Sequence, residues 1–121
     1  MKIIYNTKIT TIGNKAGDFL QSYMFIIFKE NVPRELADYC YIHNENNLVE
    51  DINPGDILYI DDVEYKITSI GDLVNQNLKQ LGHITFKFTG DKEAAIPGTL
   101  FLERKKIVPL REGTVIKIIR N

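Results

Sequence analysis

Ile57-Leu58-Tyr59-Ile60-Asp61-Asp62-Val63-Glu64-Tyr65-Lys66-Ile67-Thr68-Ser69-Ile70 is the stretch that decides the fold. Two runs rich in β-branched and aromatic residues flank an Asp-Asp pair. That pattern predicts a hairpin with strands at 57–61 and 64–70. Pro54-Gly55-Asp56 marks the turn that leads into it. Working outward, similar runs recur at 2–12, 23–29, 39–43, 83–88, 99–103 and 114–119. They are separated by Gly13, Gly71, Gly90, Pro97-Gly98, Pro109 and Gly113. Helical spacing is confined to short pieces. Residues 14–21 carry Ala16, Phe19 and Leu20 on one stripe, and Pro33 suits the start of a helical turn. Residues 72–80 carry Leu73, Val74, Leu78 and Leu81 toward the core. About eight short strands with one or two short helices imply an all-β fold, a small closed barrel or barrel-like sandwich. Closure is the simplest way to cover so many strand edges.

The 121 residues, 44% hydrophobic and 26% charged, fit one globular domain over 1–121. No internal repeat or linker is visible in the sequence. The net charge of −1 gives no field to gather nucleic acid or membrane. The charge is uneven: residues 1–102 hold nine Lys and Arg against 14 Asp and Glu, and residues 103–121 hold six against two. A solvated surface is the ordinary reading of that basic end, and a docking strip the sharper one. Arg104-Lys105-Lys106 is too short to imply nucleic-acid binding. One cysteine, Cys40, excludes an internal disulfide, and no run approaches the ~20 apolar residues of a membrane span. The cytoplasm is the expected location.

Chemistry is sparse, which narrows the search. There is no Gly-rich phosphate loop, no nucleophile elbow and no metal-ligand spacing. No cofactor is expected. Two histidines remain, His43 and His83. In an extended 39–43, alternation sets Tyr39, Tyr41 and His43 on one face and Cys40 and Ile42 on the other. Cys40 then reads as a small buried apolar residue rather than a partner of His43. His43 taken alone reads as a structural histidine opening onto an exposed Asn44-Glu45-Asn46-Asn47 loop. Gly82 permits a sharp entry and close backbone approach before His83. His83, Thr85 and Lys87 then share a polar face, with Ile84, Phe86 and Phe88 in the core.

Two strings contain these histidines, Glu35-Leu36-Ala37-Asp38-Tyr39-Cys40-Tyr41-Ile42-His43 and Asn75-Gln76-Asn77-Leu78-Lys79-Gln80-Leu81-Gly82-His83-Ile84-Thr85-Phe86. With Ile4-Tyr5-Asn6-Thr7-Lys8-Ile9-Thr10-Thr11-Ile12-Gly13, Pro54-Gly55-Asp56 and Pro97-Gly98-Thr99, they resemble the glucitol/sorbitol-specific IIA component of the phosphoenolpyruvate-dependent sugar phosphotransferase system (PTS). The resemblance runs from about residue 3 to about residue 118. It implies a cytoplasmic phosphocarrier. Such a protein takes a phosphoryl group from phospho-HPr on a histidine and passes it to the cysteine of a IIB domain in the membrane IIBC transporter. The family's phosphohistidine falls on His43. Relatives often carry another histidine two positions later, where this chain has Glu45. His83 is the expected contact for the phosphoryl oxygens, with Thr85 assisting. A site visited by two proteins is expected to be shallow and exposed, with an apolar rim of Tyr39, Tyr41 and Leu81. The competing class is a small β-barrel binding or regulatory module without phosphotransfer. The sugar's identity is not encoded at such a site, because the carrier need never touch it.

Overall fold

A computed structural model describes residues 1–121. Nine strands form one sheet system: β1 (Lys2–Ile12), β2 (Met24–Lys29), β3 (Tyr41–His43), β4 (Asn47–Leu48), β5 (Ile57–Ile60), β6 (Val63–Ile70), β7 (Ile84–Lys87), β8 (Thr99–Leu102) and β9 (Val115–Arg120). A 3-10 helix covers Ala16–Ser22, and two α-helices cover Arg34–Ala37 (α1) and Val74–Leu81 (α2). The strand order is β3-β2-β7-β8-β6-β5-β9-β1-β4, and β3 also pairs with β1. That last pairing closes an eight-strand barrel and leaves β4 as a spur on β1. The expected all-β barrel with minor helix is what forms.

Two strands serve both walls of the barrel. β1 pairs with β9 through residues 2–8 and with β3 through residues 9–12. β6 pairs with β5 at one end and β8 at the other. Each changes partner at an irregularity, between Ile9 and Thr11 in β1 and between Ile67 and Ser69 in β6. An extra residue bends a strand and raises its twist, which turns the corner of a small barrel.

These matching corners belong to an internal structural repeat that the sequence does not display. Ile9 faces His43 and Ile12 faces Tyr41; correspondingly Ile67 faces Leu102 and Ile70 faces Leu100. After each corner strand a glycine amide reaches the opposite chain, Gly13 N to Cys40 O at 3.0 Å and Gly71 N to Thr99 O at 3.0 Å. A Cβ on Gly13 would sit 2.2 Å from Ala37 O, and one on Gly71 would sit 2.2 Å from Pro97 O. Only a residue without a side chain fits such an approach. The helix that follows ends in a left-handed residue in both halves, Tyr23 (φ 59°) and Gly82 (φ 63°). Then comes a strand, β2 or β7, paired in parallel with β3 or β8. The halves share hydrogen bonding while their side chains differ, so no repeat is visible in the residues.

The core holds Tyr5, Phe25, Tyr65, Phe86 and Phe88 among aliphatic residues. Phe86 and Phe88 point inward, as alternation requires. Of the predicted stripe on α2, Val74 and Leu78 are buried, whereas Leu73 and Leu81 are exposed. Leu73 is the N-cap and Leu81 the last residue of this eight-residue helix, so both lie at its ends.

Asp56, the last residue of the Pro-Gly-Asp turn, is 3% exposed. It receives a fork of two hydrogen bonds from Arg120, from Nε at 2.9 Å and Nη2 at 2.8 Å, and a third from Asn53 N at 2.8 Å. Arg120 also pairs with Glu50, which pairs with Lys2. Burial works to raise the Asp56 carboxyl, and the Arg120 guanidinium with the Asn53 amide more than offsets it, leaving the carboxyl below its usual range. Asp56→Ala removes the carboxylate that takes the Arg120 fork and the Asn53 amide, and should lower the unfolding free energy at pH 7 by about 2–3 kcal/mol, read from urea denaturation. Part of the basic C-terminal end is therefore spent inside the fold.

Candidate functional site

Strand β3 is three residues long and is flanked by β1 and β2. Its inward positions are Tyr41 and His43. His43 has no exposed surface, which overturns the expectation of a shallow, exposed histidine. Tyr41 is 3% exposed and packs edge-on against Phe25 at 5.7 Å, so it belongs to the core and not to a docking rim. Tyr39 and Leu81 are exposed as expected. Residues 39 and 40 precede the strand, so Cys40 does not follow the predicted alternation. It is buried, and burial pushes its thiol up to about 11.

Both ring nitrogens of His43 have partners. Nε2 lies 2.7 Å from the carbonyl oxygen of Gly82, and Nδ1 lies 2.8 Å from the hydroxyl of Thr7. A carbonyl oxygen only accepts, so Nε2 carries the proton and donates it. Nδ1 then keeps a lone pair that accepts from Thr7. Thr7, 1% exposed, sits on the inward side of β1 just before that strand turns its corner. Burial drives the His43 pKa below 6.5; the Gly82 carbonyl opposes this and Lys29 adds to it. The ring is neutral at pH 7, the state in which an imidazole nitrogen is a nucleophile.

Gly82 explains how the backbone gets so close. Its φ is +63°, and a Cβ there would lie 2.7 Å from Lys29 Cβ and 2.9 Å from His43 Cε1. The close approach inferred from Gly82 is thus an approach to the His43 ring. The loop after β3 is exposed, as expected, at Asn44, Glu45 and Asn47, and Asn46 is the exception. Asn46 accepts from Tyr5 Oη at 2.8 Å and donates to Leu78 O at 2.8 Å, tying β1 to the last turn of α2. Tyr5 stands edge-on to His43 with ring centres 6.4 Å apart. Its phenol is pushed up by burial, with the Thr7 hydroxyl pulling the other way.

His83 is next in sequence to the residue that touches His43, but its ring turns elsewhere. It stacks on Phe28 at 4.5 Å, and its Nδ1 donates to Ile27 O at 3.2 Å. Beside the Gly82 turn lies an open pocket of about 270 Å³, lined by Phe28, Lys29, Asn31, Pro33, Gln80 and Leu81. Thr7 and Lys29 escaped the sequence reading. The available signal for Thr7 was its register: Tyr5, Thr7 and Ile9 alternate inward, which puts one polar group on an apolar face.

A neutral buried histidine has a consequence for stability. Its folded pKa lies below its unfolded one, so the unfolded chain binds more protons between the two values. This contribution is complete above about pH 6.5 and is lost as the pH falls, with a slope of at most ~1.4 kcal/mol per pH unit. Urea denaturation at pH 5 and pH 7.5 should show the loss in the wild type and much less of it in His43→Gln. An equal loss in both would assign it to other groups.

Comparison with known proteins bears on this arrangement. The family described as the PTS system glucitol/sorbitol-specific IIA component matches residues 4–117. The chain is 37% identical over 117 residues to the PTS system glucitol/sorbitol-specific EIIA components of Shigella flexneri and of Escherichia coli strain K12, covering 97% of this chain and 95% of each relative. A crystal structure of a PTS system IIA component from Enterococcus faecalis V583 superposes with a TM-score of 0.80 at 27% identity, covering 92% of this chain and 96% of that one. The family match spans both histidine strings, both corner strands and the Pro-Gly-Asp turn: the chain belongs to the glucitol/sorbitol-specific IIA component family of the PTS.

Proposed function

We propose that this protein is a phosphocarrier acting as a single domain over residues 1–121. It accepts a phosphoryl group from phospho-HPr on His43 and passes it to the cysteine of a IIB domain, which phosphorylates an incoming hexitol of the glucitol/sorbitol class. The observation that carries this reading is the His43 imidazole: neutral at pH 7 and bound at each nitrogen in a chain of this family. Phosphoryl transfer has a loose transition state, so a carrier has to position its nucleophile and balance charge. One His43 nitrogen attacks phosphorus in line, the donor nitrogen leaves with its electron pair, and the second His43 nitrogen keeps its proton.

The acceptor must be uncovered before any of this. In the closed arrangement each nitrogen has a protein partner, so transfer includes withdrawal of one of them. Lys29, across the β2–β3 pairing from His43 and on the wall of the neighbouring pocket, is the cation nearest an entering phosphoryl group by register. His83 is assigned the phosphoryl oxygens, its free ring nitrogen reaching them when the Gly82 turn moves. Exposed Leu81 and Tyr39 offer apolar contacts to docking proteins, which exchange in turn and so need small, weak interfaces. The carrier works on the cytoplasmic face of the membrane, and no helix is long and apolar enough to cross it.

The test is intact-protein mass after incubation with phosphoenolpyruvate, enzyme I and HPr. One acid-labile phosphoryl group per chain is the expected gain. No gain, with HPr itself phosphorylated, would move the reading to a binding or regulatory module.

A further inference from the structure

We infer that Thr7 is a positioning residue that lets His43 exchange tautomers, and so frees Nε2 to take the phosphoryl group. The inference rests on the phosphocarrier reading and adds a residue to it. Three observations carry it. The partners of the two ring nitrogens differ in kind: the Gly82 carbonyl can only accept, whereas a threonine hydroxyl both donates and accepts. They also differ in freedom. Thr7 sits within a strand paired on both sides of the barrel corner, while Gly82 is one left-handed residue between α2 and β7, beside an open pocket. Finally, Tyr5 shares the inward face of β1 with Thr7, and its phenol proton is committed to Asn46 Oδ1 at 2.8 Å, which leaves the phenol oxygen free to accept.

These facts define two states with the same number of protons. At rest Nε2–H donates to Gly82 O, and the Thr7 hydroxyl donates to Nδ1. When the Gly82 turn withdraws, Nε2 gives its proton to the water that enters and Nδ1 takes one back from it, leaving the proton count unchanged. Nδ1–H then donates to Thr7 Oγ1, and the Thr7 hydrogen turns to the Tyr5 oxygen. Nε2 is left with its lone pair toward the opened pocket. It bonds to phosphorus as the donor's N–P bond breaks, and the Nδ1 proton stays held by Thr7 throughout. Without that hydroxyl Nδ1–H loses its 2.8 Å partner, and the attacking tautomer is penalised.

The experiment uses the intact chain with ¹⁵N-labelled histidine in three forms, wild type, Thr7→Val and Thr7→Ser. Each is phosphorylated by phospho-HPr and, separately, by phosphoramidate, a chemical donor that needs no docking partner. Ring ¹⁵N spectra report the tautomer and the phosphorylated nitrogen. The resting wild type should carry its proton on Nε2, and the phosphorylated wild type its phosphoryl group on Nε2. Thr7→Val, isosteric and able to keep the Nε2–Gly82 bond, should rest in the same tautomer yet react about 100-fold more slowly with both donors. Thr7→Ser should come within a few-fold of the wild type. Wild-type rates in folded Thr7→Val, or a phosphoryl group on Nδ1 in the wild type, would overturn the inference. The second of these measurements stands even if Thr7→Val does not fold. Reaction with phosphoramidate but not with phospho-HPr would sink the carrier reading while leaving the role of Thr7 supported.

Discussion

His43→Gln should take up no phosphoryl group from phospho-HPr, whereas His83→Ala should still take one up, about tenfold more slowly. The asymmetry follows from where the two rings sit. His43 lies at the junction of β1, β2 and β3, with both nitrogens held within 2.8 Å of a partner. His83 stacks on Phe28 to one side of it. Glutamine is preferred to alanine because it keeps polar atoms near Thr7 and Gly82 and avoids orphaning both buried groups, which would confuse loss of chemistry with loss of fold. Intact mass at a series of times separates the two variants. A phosphorylated His43→Gln would remove His43 from the mechanism, and an unaltered rate in His83→Ala would remove His83.

Gly82→Ala should nearly abolish phosphorylation and lower stability together. A Cβ at this position meets Lys29 Cβ at 2.7 Å and the His43 ring at 2.9 Å, and neither is the loose end of a flexible chain. The backbone is left-handed as well, at φ +63°, which costs a residue with a side chain about 1–2 kcal/mol before any clash. Strain and displacement together should remove about 2–4 kcal/mol of unfolding free energy. The ring has to rotate or slide, and it then loses the Gly82 carbonyl that fixes its proton. Urea denaturation and the phosphorylation rate should both change. A normal rate in Gly82→Ala would mean that the turn above the ring is already open in solution.

The strands were legible wherever alternation is long enough to count, as in β6 with its eight residues and in the core-facing Ile84, Phe86 and Phe88. Closure was legible as a need and not as a pairing, because β3 has three residues and its partner β1 lies far away in sequence. The surroundings of His43 were the least legible part. The Asn-rich loop after it is exposed at Asn44, Glu45 and Asn47, as its composition suggests, yet Asn46 turns inward to bond Tyr5 and the end of α2. Thr7 was hidden for a different reason: threonine is common in strands, and only its inward register marks it. Gly82 was read correctly as a close approach, but what it approaches depends on a register between two distant strands.

The way the ring closes also sets when the protein can form. β9 lies between β1 and β5, pairing Lys2 with Arg120 and Ile57 with Ile119. Neither wall is complete until residues 115–120 are in place, so a chain without them carries unpaired edges on both β1 and β5. Its folding therefore runs on the milliseconds-to-seconds scale of barrels built from distant contacts. His43, whose partners come from β1 and from the turn after α2, acquires its environment only when those distant segments meet.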